Sequence, residues 1–127
     1  PRRMLVADAE REISKLICTL LASVGHQAVP AFDGASTMMA AMRVPQPNLI
    51  ILDVRMPAGD GGLTLTKLKQ AGKTAAIPVL VLTAVDDPAV RTEMMGKGAV
   101  AFMQKPFASE ELLATIASLL PPSVPRR

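Results

Sequence analysis

"NLIILD", residues 48–53, is the stretch on which the fold turns. Leu49, Ile50, Ile51 and Leu52 follow one another without the polar alternation of a strand that has one wet face. A run this short and this apolar reads as a strand covered on both sides, as in a parallel sheet held between helices. "IPVLVLT", residues 77–83, repeats the pattern and ends at Thr83.

The flanking sequence alternates with these runs. Upstream, Met4–Ala7 reads as a short buried strand that stops at Asp8. Ile13, Leu16, Ile17, Leu20, Leu21 and Val24 then recur at helical spacing, and Gly25 suits the helix end. Gln27–Phe32 reads as a strand, and Pro30, which has no N–H for a ladder, places it at an edge. Asp33–Gly34 turns into a helix over 35–43 carrying Met38, Met39 and Met42, after which Pro45 and Pro47 interrupt the chain.

Downstream, a Gly-rich loop leads to a helix over Leu63–Gln70. Asp87–Pro88 opens another, with Asp at the N-cap and Pro at the first position. Gly98 precedes a strand over 99–104, and Ser109 caps a last helix whose first turn holds Glu110 and Glu111. Five strands alternating with five helices predict an α/β fold: (βα)₅, a doubly wound five-stranded parallel sheet with right-handed crossovers. Residues 1–120 are expected to form the domain, and "PPSVPRR", 121–127, a Pro-rich tail or the start of a linker.

Composition narrows the function. The 127 residues are half hydrophobic and one-fifth charged, which excludes wholesale disorder. No apolar stretch approaches the roughly 20 residues of a membrane span, so a cytoplasmic protein with no membrane partner is expected. Cys18 is the single cysteine and reads as a half-buried free thiol. The net charge of +3 owes much to Arg2, Arg3, Arg126 and Arg127, and with no Trp or Tyr there is no stacking platform for bases. Direct nucleic-acid binding by this segment is not expected. His26, the only histidine, reads as a solvated loop residue.

In an open parallel sheet, ligands bind beyond the carboxyl ends of the strands. Four of the five apolar runs end at or near a polar group: Asp8, Asp53, Thr83 and Gln104–Lys105. Two carboxylates, a hydroxyl and an ammonium on one rim suit a phosphoryl group and a hard cation such as Mg²⁺. A carboxylate can be the nucleophile toward phosphorus, with Thr and Lys contacting the phosphoryl oxygens.

Through "LDVRMPAGDGG" (52–62), "VLTA" (81–84) and "FMQKPF" (102–107), the sequence resembles the receiver domain of two-component response regulators, from about Arg3 to Leu120. The resemblance implies the flavodoxin-like strand order 2-1-3-4-5. It implies Asp53 as phosphoacceptor from a sensor histidine kinase or phosphotransfer protein, and Thr83 as the switch hydroxyl beside the small Ala84. Lys105 would be the ion-pair partner before a cis Pro106. Phe102 takes the switch-aromatic position, equally readable as a core Phe. Asp8, Asp53 and the backbone carbonyl of Arg55 would hold Mg²⁺. Pro57, Asp60 and Gly61 would shape the loop after the acceptor, without chemistry. The family's second acid after the first strand is Ala9 here. Three readings stay open: Asp8 rotates in, Glu10 reaches back, or the metal site is impaired.

Two functions compete. One is a phosphorylation-dependent switch of the face formed by the fourth helix, fifth strand and fifth helix, controlling a C-terminal output domain or homodimer partner. In that case the domain catalyses only its own phosphorylation and dephosphorylation. The alternative is a phosphorylation-independent interaction or dimerisation module, favoured by Ala9. Met94 and Met95 read as core packing before surface, and a kinase-docking surface around Ser14, Lys15 and Cys18 follows from the resemblance.

Overall fold

The computed structural model describes residues 2–56 and 60–120. Pro57 and the 121–127 tail lie outside the described residues. The elements run β1 (Arg3–Ala7), α1 (Arg11–Ser23), β2 (Gln27–Ala31), α2 (Gly34–Met42), β3 (Leu49–Leu52), α3 (Gly61–Gln70), β4 (Val79–Thr83), α4 (Pro88–Gly96), β5 (Ala101–Gln104) and α5 (Ser109–Leu119). All five strands pair in parallel, in the order β2-β1-β3-β4-β5.

Side chains alternate across each strand, and in this sheet both sets are apolar. Leu5, Ala7, Ile50, Leu52, Val79 and Val81 face Ala41 of α2, Leu65 and Leu68 of α3 and Met94 of α4. Met4, Val6, Leu49, Ile51, Leu80 and Leu82 face Ile17 and Leu21 of α1 and Leu112 and Ile116 of α5. The uninterrupted runs are therefore two cores read alternately. Each fully buried Leu or Ile stabilises by roughly 1.5–3 kcal/mol relative to exposure.

The Pro30 inference holds in detail. Gln27 donates to the Arg2 carbonyl and Ala31 accepts from the Asp8 N–H, so odd-numbered residues of β2 turn toward β1. Pro30 therefore puts its missing N–H on the open edge, where no ladder bond is lost.

Local signals placed most boundaries. Asp87 caps α4 by accepting from the Ala89 N–H, and Gly25 and Gly98 take φ of 89° and 109° where the chain leaves α1 and α4. Asp60 caps α3 by accepting from the Leu63 N–H at 2.8 Å, so this helix starts at Gly61, earlier than expected.

Four expectations need correction. Ala108, not Ser109, stands at the N-cap of α5: the extended backbone falls at 108, and Ser109 is already helical. Leu16 on α1 and Val24 at its C-cap are about half exposed while Ser14 is buried. At 100° per residue the inward face runs through Ile13, Ser14, Ile17 and Leu21, and Leu16 falls off it. A docking surface there cannot include Ser14. His26 is half-buried, and burial together with the charge of Arg2 holds its pKa below the usual histidine range. Cys18 is a half-buried free thiol whose pKa is raised by burial; Met94 is buried, but Met95, expected in the core, is exposed on the outer side of α4. Among the described residues, no helix is long and apolar enough to cross a membrane.

Candidate functional site at the carboxyl rim of the sheet

The ends of β1, β3, β4 and β5 carry their polar residues to one rim because parallel strands all finish on the same side. The backbone ladder continues past each strand end. Asp8 donates its N–H to Ala31, Asp53 to Ala7 at 2.9 Å, and Lys105 to Thr83 at 2.8 Å. Each side chain is thus fixed at its root by an inter-strand hydrogen bond.

Asp8, Asp53, Thr83 and Lys105 are all buried, with exposures of 2%, 5%, 0% and 8%. Lys105 Nζ lies 2.6 Å from Asp8 Oδ2 and 3.3 Å from Asp53 Oδ2. Two residues 97 and 52 positions away in sequence thus share one ammonium. Asp8 Oδ1 accepts the Glu10 N–H at 2.9 Å, and Asp53 Oδ1 accepts the Arg55 N–H at 3.3 Å. Lys105 is followed by a cis peptide to Pro106, as the resemblance implied; a second lies at Val44–Pro45.

Burial pushes the Asp8 carboxyl above the usual carboxylate range, against the hydrogen bond and charge of Lys105. Burial also works against the Lys105 charge, but the Asp8 hydrogen bond and the Asp53 charge outweigh it. Its pKa ends above the ordinary lysine value, so the ammonium persists at neutral pH.

The remaining expected residues surround this centre. The Thr83 hydroxyl accepts from the Val85 N–H at 3.3 Å, and Ala84 is exposed beside it. Phe102 is partly buried, in register with Val81, with the Arg91 guanidinium 5.9 Å from its ring centroid. The Arg55 side chain is exposed. Glu10 extends toward the rim, its Oε1 3.6 Å from Lys105 Nζ. Carboxylate oxygens of Asp8, Glu10 and Asp53 lie within 4.8 Å of one another, an all-oxygen donor set that fits a hard divalent cation.

Gly61 proves more than a turn residue. Its N–H bonds the Val54 carbonyl at 2.6 Å, and a β-carbon there would overlap the Asp53 carbonyl oxygen and the Val54 Cα. Gly61→Ala is expected to push the loop off the end of β3 and destabilise by about 1–3 kcal/mol, read by urea denaturation. An unchanged midpoint would show that the backbone yields freely. The sequence also gave no warning that Arg11 stacks on Phe32, 4.1 Å from the ring centroid, tying the start of α1 to the end of β2.

A doubly wound parallel sheet with two acids, a threonine and a lysine on its carboxyl rim has the make-up of a site for a phosphoryl group and a hard cation. Comparison with known proteins makes this specific. The family model described as the response regulator receiver domain matches residues 4–117, and the chain belongs to that family. A probable transcriptional regulator, ycf27, of Cyanophora paradoxa is 37% identical over 119 residues, covering 94% of this chain and 48% of that protein. The phosphate regulon transcriptional regulatory protein PhoB of Escherichia coli is 35% identical over 119 residues, covering 94% and 52%. The chain thus spans about half the length of these curated relatives. Among solved structures, the chemotaxis protein CheY4 of Vibrio cholerae superimposes with a TM-score of 0.86 at 27% identity, over 94% of this chain and 98% of that one. The chain is a receiver domain of two-component signalling.

Proposed function

We propose that Asp53 accepts a phosphoryl group from the phosphohistidine of a sensor kinase or phosphotransfer protein, and that this switches the α4–β5–α5 face. The observation that carries the reading is the shared ammonium: Lys105 bridges Asp53 and Asp8 with both carboxylates buried.

In the reaction, a carboxylate oxygen of Asp53 attacks phosphorus. The P–N bond to the donor imidazole breaks, its electron pair returns to the ring nitrogen, and an acyl phosphate remains. Lys105 offsets charge on the transferred group, and the Thr83 hydroxyl hydrogen-bonds a phosphoryl oxygen. Asp53 and the Arg55 backbone carbonyl are the residues that would hold Mg²⁺ directly, with Asp8 reaching it through water; when bound, the ion would neutralise phosphoryl charge. Thr83 leaves its contact with the Val85 N–H to reach the phosphoryl group, and Phe102 takes up the space released. A cavity of about 290 Å³ lies beside Phe102, lined by Val85, Asp87, Arg91 and Gln104. The outcome is a population shift between two packings of one face. Since relatives named as transcriptional regulators are about twice as long, the partner of that face is proposed to be an output domain or a second receiver.

The test is intact mass after incubation with acetyl phosphate, in Mg²⁺ and in EDTA. A gain of one phosphoryl group in Mg²⁺ and its loss in EDTA are expected. Ala9, in place of the family's second acid, favours a second reading, a constitutive interaction module. No gain at any Mg²⁺ concentration, and none from a phosphorylated donor protein, would establish that reading instead.

A further inference from the structure

We infer that Glu10 supplies, toward a divalent cation at this rim, the carboxylate that position 9 lacks. The inference rests on the reading above that the rim holds such a cation. Asp8 is poorly placed to swing in as a replacement. Its Oδ1 accepts the Glu10 N–H at 2.9 Å and its Oδ2 accepts from Lys105 at 2.6 Å, in a side chain 3% exposed. Turning it toward a cation would abandon two hydrogen bonds in a buried place, one of them charge-assisted. Ala9 offers only a methyl group, packed against the apolar cluster beneath α2, α3 and α4.

Glu10 has neither restriction. It stands at the N-cap of α1 with extended backbone and makes no capping hydrogen bond, so its carboxylate is not committed to the helix. Its carboxylate instead reaches back over the rim, to 3.6 Å from Lys105, while 61% of the side chain stays exposed. An exposed glutamate side chain can be redirected at small cost, and its oxygen already shares the 4.8 Å cluster with Asp8 and Asp53. The ligand lost at position 9 is thus recovered one residue later by a longer side chain.

Mn²⁺ binding, followed by the paramagnetic resonance of the free ion, tests this on the wild-type domain, Glu10→Gln, Ala9→Asp, the double variant and Asp53→Asn. Glu10→Gln is expected to weaken Mn²⁺ about tenfold. In the Ala9→Asp background the same change is expected to cost less than about twofold, because the two carboxylates serve one function. Matching thermal melts for wild type and Glu10→Gln, at an exposed position, exclude a folding artefact. Equal affinity for wild type and Glu10→Gln would overturn the inference while leaving the cation site standing. Absence of Mn²⁺ binding to the wild type would overturn both. Binding indifferent to Asp53→Asn would place the ion away from the rim and overturn the inference.

Discussion

Asp53→Asn is expected to remove phosphoryl uptake completely: no mass gain with acetyl phosphate at any Mg²⁺ concentration. The amide nitrogen is not a nucleophile toward phosphorus, and the amide oxygen carries too little charge to serve. The substitution is nearly isosteric, and the backbone bond from Asp53 N–H to Ala7 is untouched, so the domain keeps its fold. The neighbouring acid is a poor substitute. Asp8 holds the shorter contact to Lys105, 2.6 Å against 3.3 Å for Asp53, and its second oxygen is engaged by the Glu10 N–H. A persistent gain in the variant, mapped to a peptide containing Asp8, would transfer the acceptor role to that residue.

The second large effect concerns Lys105. Lys105→Met keeps the volume of the stem but leaves two buried carboxylates facing each other without a cation. Breaking a buried ion pair in this way costs about 3–5 kcal/mol. The loss depends on pH with a definite sign. Burial already holds the Asp8 pKa above its unfolded value, and removing the Lys105 hydrogen bond and charge, both of which lower it, raises it further. A carboxyl whose folded pKa lies above its unfolded one favours the fold while protonated. Its contribution is full below the unfolded pKa and is lost as pH rises through the folded pKa. The variant is therefore expected to approach wild-type stability in acid and to fall away from it toward neutrality. Urea midpoints for both proteins between pH 4 and pH 8 measure this. A difference constant across that range would mean that Lys105 acts through packing alone.

These two effects explain why the rim is built as it is. The carboxylate proposed as nucleophile must be ionised to react, and burial opposes the charge of Asp8 beside it. One ammonium shared between Asp8 and Asp53 keeps the pair tolerable in the resting domain. Glu10, at 3.6 Å and largely solvated, adds little to that balance at rest and is the group most readily redirected.

The order and type of the elements were legible in the residues alone, for a physical reason. Burial on both faces leaves no room for polar residues in Leu49–Leu52 or Val79–Thr83 except at the end, so the runs announce themselves and their terminal polar residues mark the rim. Pro30 likewise declares its edge, because a missing N–H is tolerated only there. Signals that depend on one residue's backbone were less secure, as Ala108 at the α5 cap shows. The amphipathic reading of α1 failed at Leu16 and Ser14 because hydrophobicity was taken for direction. A buried serine and an exposed leucine are both affordable when the stripe beside them is strong.

What the tertiary structure alone decided is the pairing. Sequence placed Asp8, Asp53 and Lys105 at strand ends, but not which carboxylate the lysine would hold closer, nor that the Glu10 carboxylate would turn toward it. Those distances depend on strand order and register, which bring residues 97 positions apart to 2.6 Å. They depend equally on Gly61, whose missing β-carbon lets the following helix begin against the Asp53 carbonyl. Local pattern determined which residues reach the rim; packing across the sheet determined how their charges are shared.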